Sequence, residues 1–400
     1  MKIAWLAPYP VTSLTPAFKP ERLTGSHPCS WIVNLSAELA RMSDVELHMI
    51  TTSQGIRATQ SFQHGNIHFH VVRHAIPGTL RGFPEWAPVD ALLRYSSLRA
   101  RIASMVDSIH PDVVHVHGTE AGFGLAGLDT NYPCLVSIQG LVSIYKHVES
   151  SLFFTMQTPL EVDVVRRGKY FANRTSWGYD FVRRINPEAI QYEMQEAVSP
   201  EFFSDREGTS EPNLLIVGGI QKRKGVDVAI RALPKILAKY SSARLHIIGG
   251  GTSAYVEELS QLAGSLGVSG AMSFLGSKSL REIAALHGKS LILLHPTLMD
   301  NSPNSVAEAM VSGLPVIASR VGGLPSMIEN GHSGVLVAVG DHVDLAEQTI
   351  ALIADRDRRE LLAQHAREIA RTRHNPHNVA IAAIGVYRDI LARESILGRA

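Results

Sequence analysis

Short apolar runs, each closed by Gly, Pro or a polar residue and followed by a longer amphipathic stretch, recur along the whole chain. Parallel strands need crossover connections, usually helical, so this alternation predicts an α/β fold built on parallel sheets. The first half offers candidate strands at 3–7, 47–51, 67–72, 113–117 and 135–139. The second half offers 214–218, 245–249, 272–275, 291–295, 316–319 and 335–339. In open α/β sheets ligands bind at the carboxyl ends of the strands, which directs attention to the loops that follow these runs.

A chain of 400 residues exceeds one ordinary core, so two domains are expected. The polar stretch 198–213 (VSPEFFSDREGTSEPN) carries Pro200 and Pro212 and reads as the connection. The expected division is 1–197, a linker at 198–212, and a second domain at 213–377. A further break falls near His374-Asn375-Pro376-His377, and the final helical stretch, within 378–400, is expected to pack back on the first domain. Both domains are expected to be Rossmann-like, facing each other across a cleft.

The formal net charge of +1 gives no global attraction to nucleic acid, which is not expected as a partner. Cys29 and Cys134 are the only cysteines and show no zinc-type spacing, which suits a reducing compartment. The opening ten residues contain Pro8 and Pro10 and read as a first strand, not a leader. No apolar run approaches the roughly 20 residues that span a bilayer. A cytoplasmic location is expected, with peripheral membrane contact as a second reading taken up below.

The most informative segment is 295–315, HPTLMDNSPNSVAEAMVSGLP. A buried strand ends at His295-Pro296, and a polar loop runs through Asp300, Asn301 and Ser302. Pro303 stands where a first helical residue belongs, with Ser302 as N-cap, Asn304 next, and Gly313 as the helix stop. Such a helix start has free N–H groups and a positive dipole end, so it can hold a diphosphate.

This arrangement resembles the large family of retaining GT-B glycosyltransferases, glycosyl transferases group 1, whose signature is two acidic residues separated by seven others. Asp300 and Glu308 have that spacing, and Glu308-Ala309-Met310, Gly313 and the run 314–319 (LPVIAS) continue the match. The resemblance implies that Asp300 binds a donor-sugar hydroxyl and that Glu308 holds the ribose diol, with Ser302, Pro303 and Asn304 at the phosphates. A carboxylate can accept from both ribose hydroxyls at once. Family members usually begin the motif with Glu, so Asp300 is a shorter variant. The alternative is a capping Asp and an exposed helical Glu.

The run 215–232, LIVGGIQKRKGVDVAIRA, resembles the family's strand, Gly-Arg, Lys-Gly, helix pattern. Lys224 then contacts the donor diphosphate. Gly219 occupies the usual Arg position, and either Lys222 or Arg223 stands to replace that charge. The run 245–251 (LHIIGGG), with Gly250, resembles the glycine turn near the nucleotide base. Asp355-Arg356-Asp357 mimics a metal-binding triplet but falls between helical patterns, where Asp is a cap. No metal is expected, since Lys224 and the helix dipole can neutralise the leaving diphosphate.

In the first half, 112–118 (DVVHVHG) resembles the family's Asp-x-x-His-x-His, which places His117 near the donor sugar. His115 and His117 are expected to point to opposite faces. Gln139 stands where relatives often carry His. Gly25 is the expected backbone-approach glycine of the first loop. The segment 166–184, with six basic residues including Arg174, one acidic residue and five aromatics, can serve an acidic or lipid-linked acceptor or an anionic membrane surface. The alternative is a cleft-edge helix pair with snorkelling Arg stems.

The function expected from this resemblance is transfer of a sugar, hexosyl or related, from a nucleotide diphosphate sugar to a hydroxyl of a glycan, lipid-linked or small-molecule acceptor. Retention of configuration and metal independence are implied with it. The alternatives are an epimerase or hydrolase of GT-B fold, or a non-catalytic nucleotide-sugar binder. An NAD-dependent oxidoreductase is excluded at the first strand, where Leu6-Ala7-Pro8-Tyr9-Pro10 has no GxGxxG glycines.

Overall fold

The computed structural model describes residues 1–14, 17–19, 29–74, 89–149 and 151–397. The chain divides into two compact units, Met1–Ala197 with Pro376–Ala400, and Val198–Asn375.

Among the described residues the first unit has eight strands: β1 Lys2–Leu6, β2 Glu46–Ser53, β3 Gln60–His64, β4 Ile67–Arg73, β5 Val113–His117, β6 Cys134–Ser137, β7 Tyr170–Asn173 and β8 Ile190–Glu193. Their order is β3-β4-β2-β1-β5-β6-β7-β8, and every pairing is parallel except β3 with β4. Residues alternate between two covered faces. Ile3, Trp5, Met49 and Phe69 pack to one side, and Ala4, Leu6, Ile50 and Val116 to the other.

The helix Pro376–Leu397 belongs to this unit. Val379, Ala380, Ala383, Ile384, Tyr387 and Ile390 recur at helical spacing and join the core of Ile3, Trp5 and Leu35. The Tyr387 hydroxyl accepts from Trp5 Nε1 at 3.0 Å and lies 2.7 Å from His115 Nδ1. Tyr387 thus satisfies two buried polar groups of the central strands at once.

The second unit carries β9 Asn213–Val217, β10 Arg244–Ile248, β11 Met272–Gly276, β12 Ile292–His295, β13 Val316–Ser319 and β14 Val335–Val337. The order is β11-β10-β9-β12-β13-β14, all parallel. The direction of strand addition reverses between β9 and β12. This is the topological switch point, where the loops after the two strands leave a crevice for a ligand.

The expected linker is instead part of the second unit. Pro200–Phe203 forms a 3-10 turn whose Phe202 is 1% exposed and joins Val198 in the core with Val306, Met310 and Leu314. Arg206 donates to the carbonyls of Gly313 (3.0 Å) and Ser290 (2.6 Å). Two apolar anchors hidden in a polar, Pro-containing run bind this segment to the unit that follows it, so the boundary lies at Ala197/Val198.

Candidate functional site

The loops after β9 and β12 meet in the second unit. After β9, Lys222–Lys224 forms a 3-10 turn closed by Gly225 at φ 64. A Cβ on Gly225 would stand 2.0 Å from the carbonyl oxygen of Pro296, so only glycine lets this turn reach the loop after β12. The contact is then locked through the backbone. The Arg223 carbonyl accepts from Thr297 Oγ1 (2.9 Å) and from Leu298 N (2.8 Å), and Arg223 Nη1 donates to the Met299 carbonyl at 3.0 Å.

Asp300 sits at the centre of this junction, with 9% of its side chain exposed. Its Oδ2 accepts from Lys224 Nζ at 2.5 Å and lies 3.3 Å from His295 Nε2, and Arg223 Nη1 is 3.7 Å from Oδ1. Burial by itself would raise its pKa, but Lys224, His295 and Arg223 together hold the carboxyl well below the usual carboxylate range. The pKa of His295 is lowered too, by burial first, which favours the neutral ring. The Asp300 carbonyl accepts from Gly323 N at 3.0 Å, and a Cβ on Gly322 (φ 57) would stand 1.9 Å from that oxygen. His295 and the Gly322-Gly323 turn escaped sequence reasoning, although a histidine at a strand's carboxyl end was a signal for the first.

Of the two cations expected to stand in for the Arg absent at Gly219, Arg223 is turned into this junction and Lys222 is not. The Lys222 side chain is 67% exposed and is directed at Glu258, 3.9 Å away. Gly219 itself leaves room: a Cβ there would meet nothing nearer than 3.7 Å. Gly250 lies beside it, accepting from Ile220 N at 2.7 Å.

The helix that follows the loop is Asn304–Ser312, one residue shorter than expected. Pro303 is its N-cap residue with ψ 121, and Ser302 lies outside the helix; the fixed φ of proline suits either position, and the extended ψ decides it. No side chain caps this helix start. Asn304 Oδ1 is buried without a hydrogen-bond partner, an acceptor waiting for a donor at the same place. Gly313 ends the helix at φ 73, as expected. Glu308 is 6% exposed among buried Val306, Ala307, Ala309 and Met310, which removes the exposed-helix alternative. Asp355 is a cap, accepting from Arg358 N at 2.9 Å. Two cavities of this unit, about 540 and 900 Å³, surround Arg206 to Thr209 at the amino ends of the strands and include neither Asp300, Lys224 nor Glu308.

In the first unit, His117 ends β5 and is buried. Contrary to expectation, His115 and His117 share a face, with ring centroids 3.9 Å apart, because residues two apart on a strand point the same way. His115 is nonetheless committed, with Nδ1 to the Tyr387 hydroxyl and Nε2 to Ser137 Oγ, both at 2.7 Å. His117 Nε2 is buried without a partner among the described residues. Burial first, then His115 and Arg174, hold His117 far below its ordinary pKa, so it is a neutral hydrogen-bonding group.

Arg174 is not presented as a free cation. It pairs with Glu196 at 3.0 Å, with 5% of its side chain exposed, and donates to the Ile138 carbonyl at 2.7 Å. Much of the basic, aromatic segment is likewise absorbed, although Arg166 and Arg184 are exposed. Tyr170 and Phe171 are core residues of β7, while Arg167, Lys169 and Arg183 pair with Asp129, Glu394 and Asp180. A strand and an amphipathic helix, Ser176–Ile185, read together as one surface patch in the sequence. Gln139 lies just past β6, with Oε1 3.7 Å from where a Cβ on Gly118 would stand. Gly25 lies outside the described residues. Sequence reasoning missed Glu120, three residues past His117, whose pKa is pushed up to about 7 by burial and by Glu161. The Glu161 carboxylate accepts from Thr119 Oγ1, Val142 N and Ser143 N. Among the described residues no helix is long and apolar enough to cross a membrane.

Residues 199–369 match the family described as glycosyl transferases group 1. A D-inositol 3-phosphate glycosyltransferase of Corynebacterium urealyticum is 30% identical over 179 residues, 44% of this chain and 42% of that protein. A GDP-mannose-dependent alpha-(1-6)-phosphatidylinositol monomannoside mannosyltransferase of Mycobacterium tuberculosis is 32% identical over 165 residues, 39% of this chain and 42% of that protein. The matched stretch spans less than half the length of each of these two relatives. Among solved structures, sucrose-phosphate synthase of Thermosynechococcus elongatus superposes with a TM-score of 0.80 at 17% identity, covering 98% of this chain and 99% of that one. Anabaena HepE in complex with UDP-glucose gives 0.71 at 17% identity, covering 96% and 99%. The fold is GT-B.

Proposed function

We propose, from the premise that residues 199–369 belong to the glycosyl transferases group 1 family, that this chain transfers a sugar from a nucleotide diphosphate sugar to an acceptor hydroxyl with retention of configuration. The observation that carries the reading is the buried junction of Asp300, Lys224, Arg223 and His295 at the switch point of the second sheet, followed at once by the uncapped start of the helix bearing Glu308. The Mycobacterium tuberculosis relative, named as GDP-mannose-dependent, and HepE, solved in complex with UDP-glucose, support it.

In this reading Glu308 accepts from the ribose hydroxyls, the free N–H groups of the helix start take the diphosphate, and Asn304 Oδ1 accepts from a hydroxyl of the donor. Lys224, backed by Arg223, balances the negative charge that grows as the sugar leaves. Asp300 orients both the cations and a donor-sugar hydroxyl. The anomeric carbon–oxygen bond breaks, the acceptor oxygen bonds to the same face, and its proton passes to the departing phosphate oxygen. Neutral His117 offers one hydrogen bond to a sugar hydroxyl, and Gln139 and Glu120 stand on neighbouring loops of the first unit for the acceptor. Arg174 acts as a positioning residue through Glu196. The acceptor is a glycan, a lipid-linked sugar or a small polyol.

Labelled nucleotide sugar incubated with and without candidate acceptors tests this reading. Label in an acceptor product supports it; label only in free sugar or in an epimer replaces it with hydrolysis or epimerisation, and unchanged donor leaves a binding module. Transfer is expected to survive EDTA, because fixed cations stand where a metal would; loss restored by Mg²⁺ or Mn²⁺ would contradict this. Gly219→Arg is expected to fold, since the position has room, and to tighten nucleoside diphosphate binding by about tenfold in calorimetry, the scale of one charged hydrogen bond.

A further inference from the structure

The sheet of the first unit carries a second cluster of polar chemistry at the opposite end from His117. Glu46 and His48 lie at the amino end of β2, and His68 lies opposite His48 on β4, in direct register. One ligand atom from each of Glu46, His48 and His68 lies within 4.8 Å of the others. Leu47, Met49, Ile67 and Phe69 point to the core, so the alternation of the pleat sets the three histidines His48, His68 and His70 together on the other face. The His48 and His68 rings stack at 4.8 Å, and those of His48 and His70 at 5.3 Å.

We propose that Glu46, His48 and His68 form a binding site for a divalent transition metal of the zinc type. Two imidazoles and one carboxylate, with an open fourth position, are a common zinc donor set. In a tetrahedral site with zinc–ligand bonds of about 2.0–2.1 Å, neighbouring donors stand about 3.3 Å apart. His48 Nε2 and Glu46 Oε1 are 2.9 Å apart, and small side-chain rotations bring in the third donor.

The surroundings have the character of a supporting shell. His48 Nδ1 contacts His70 Nε2 at 3.0 Å, and His70 Nδ1 contacts Ser61 Oγ at 2.9 Å. Without metal, the chain of bonds runs from the Ser61 hydroxyl through His70 and His48 to Glu46. With metal on His48 Nε2, the chain reverses: His48 Nδ1–H donates to His70, and His70 Nδ1–H donates to Ser61 Oγ. No proton is gained or lost, and the ring facing the metal keeps a fixed tautomer, as ligating histidines require. Burial holds His48 and His70 below the ordinary histidine pKa, which favours neutral rings. Lys2 Nζ lies 3.6 Å from the same Glu46 oxygen and is the competing cation.

The site stands at the amino ends of the strands, so the metal would tie β2 to β4 rather than act on a sugar. Zinc titrated by calorimetry into EDTA-treated, desalted full-length protein tests it, with thermal melting in parallel. One equivalent is expected to bind at micromolar zinc and to raise Tm, with Mg²⁺ doing neither. His68→Ala and Glu46→Gln, both at partly or fully exposed positions, are expected to weaken binding by about tenfold or more while leaving the metal-free Tm unchanged. His332→Ala, which removes one of another stacked histidine pair, is expected to change nothing. Absence of binding, equal binding in His68→Ala, or loss in His332→Ala would overturn the proposal.

Discussion

Lys224→Ala is expected to lower kcat by about 100-fold or more, the scale at which one preorganised stabilising group contributes. Lys224 is the nearest cation to the buried Asp300 carboxylate and is the last residue of the turn that Gly225 brings onto the next loop. Charge builds on the leaving diphosphate as the sugar departs, so a cation fixed here acts on the transition state more than on bound donor. Arg223→Ala should cost less in kcat, because its guanidinium is 3.7 Å from Asp300 and is held by the Met299 carbonyl. The two variants should also differ in acid stability. The depressed pKa of Asp300 stabilises the fold above the ordinary aspartate range and that contribution is lost as pH falls. Removing Lys224 removes the leading opposing charge, so Lys224→Ala should lose less stability on acidification than the parent, from a lower starting point. Steady-state kinetics on both variants decide the assignment. Near-parent kcat in Lys224→Ala with collapse in Arg223→Ala would place the cation on the wrong residue.

Glu308→Ala is expected to abolish measurable transfer and to weaken nucleoside diphosphate binding more than tenfold. Hydrogen bonds to a charged group are worth roughly 1.5–3 kcal/mol each, and a carboxylate can take two from a ribose. Glu308 is buried in the middle of the helix Asn304–Ser312, between Val306, Ala307 and Met310 of the core. Unchanged diphosphate affinity, measured by calorimetry, would remove Glu308 from the site.

The second unit was largely legible because its chemistry is local in sequence. Asp300, Pro303, Glu308 and Gly313 fall on one loop and one helix, and period and capping rules place them together. That Lys224 and Asp300, 76 residues apart, serve one site came only through the family resemblance, while their ion pair and the inward turn of Arg223 needed three-dimensional placement. The first unit was less legible for physical reasons. β3 (QSFQH) and β8 (IQYE) are edge strands whose polar residues hide the period, and β7 was submerged in a run of aromatics and arginines. The opposite-face reading of His115 and His117 failed on the two-residue period itself. Arg174 looked available because sequence does not show that Glu196 lies against it. Segment 198–212 looked like a linker because two buried anchors, Val198 and Phe202, are outweighed by polar neighbours in any composition count.

The nucleotide-sugar site in the second unit is the central claim, and a ribose double difference tests it most directly. Affinities of a nucleoside diphosphate and its 2′,3′-dideoxy analogue are measured by calorimetry on the parent protein and on Glu308→Ala. The account predicts that the parent loses about tenfold or more on removal of the two hydroxyls. Glu308→Ala should bind both nucleotides equally, at the weaker level. A Glu308→Ala protein that still discriminates between them, or a parent that does not, would contradict it.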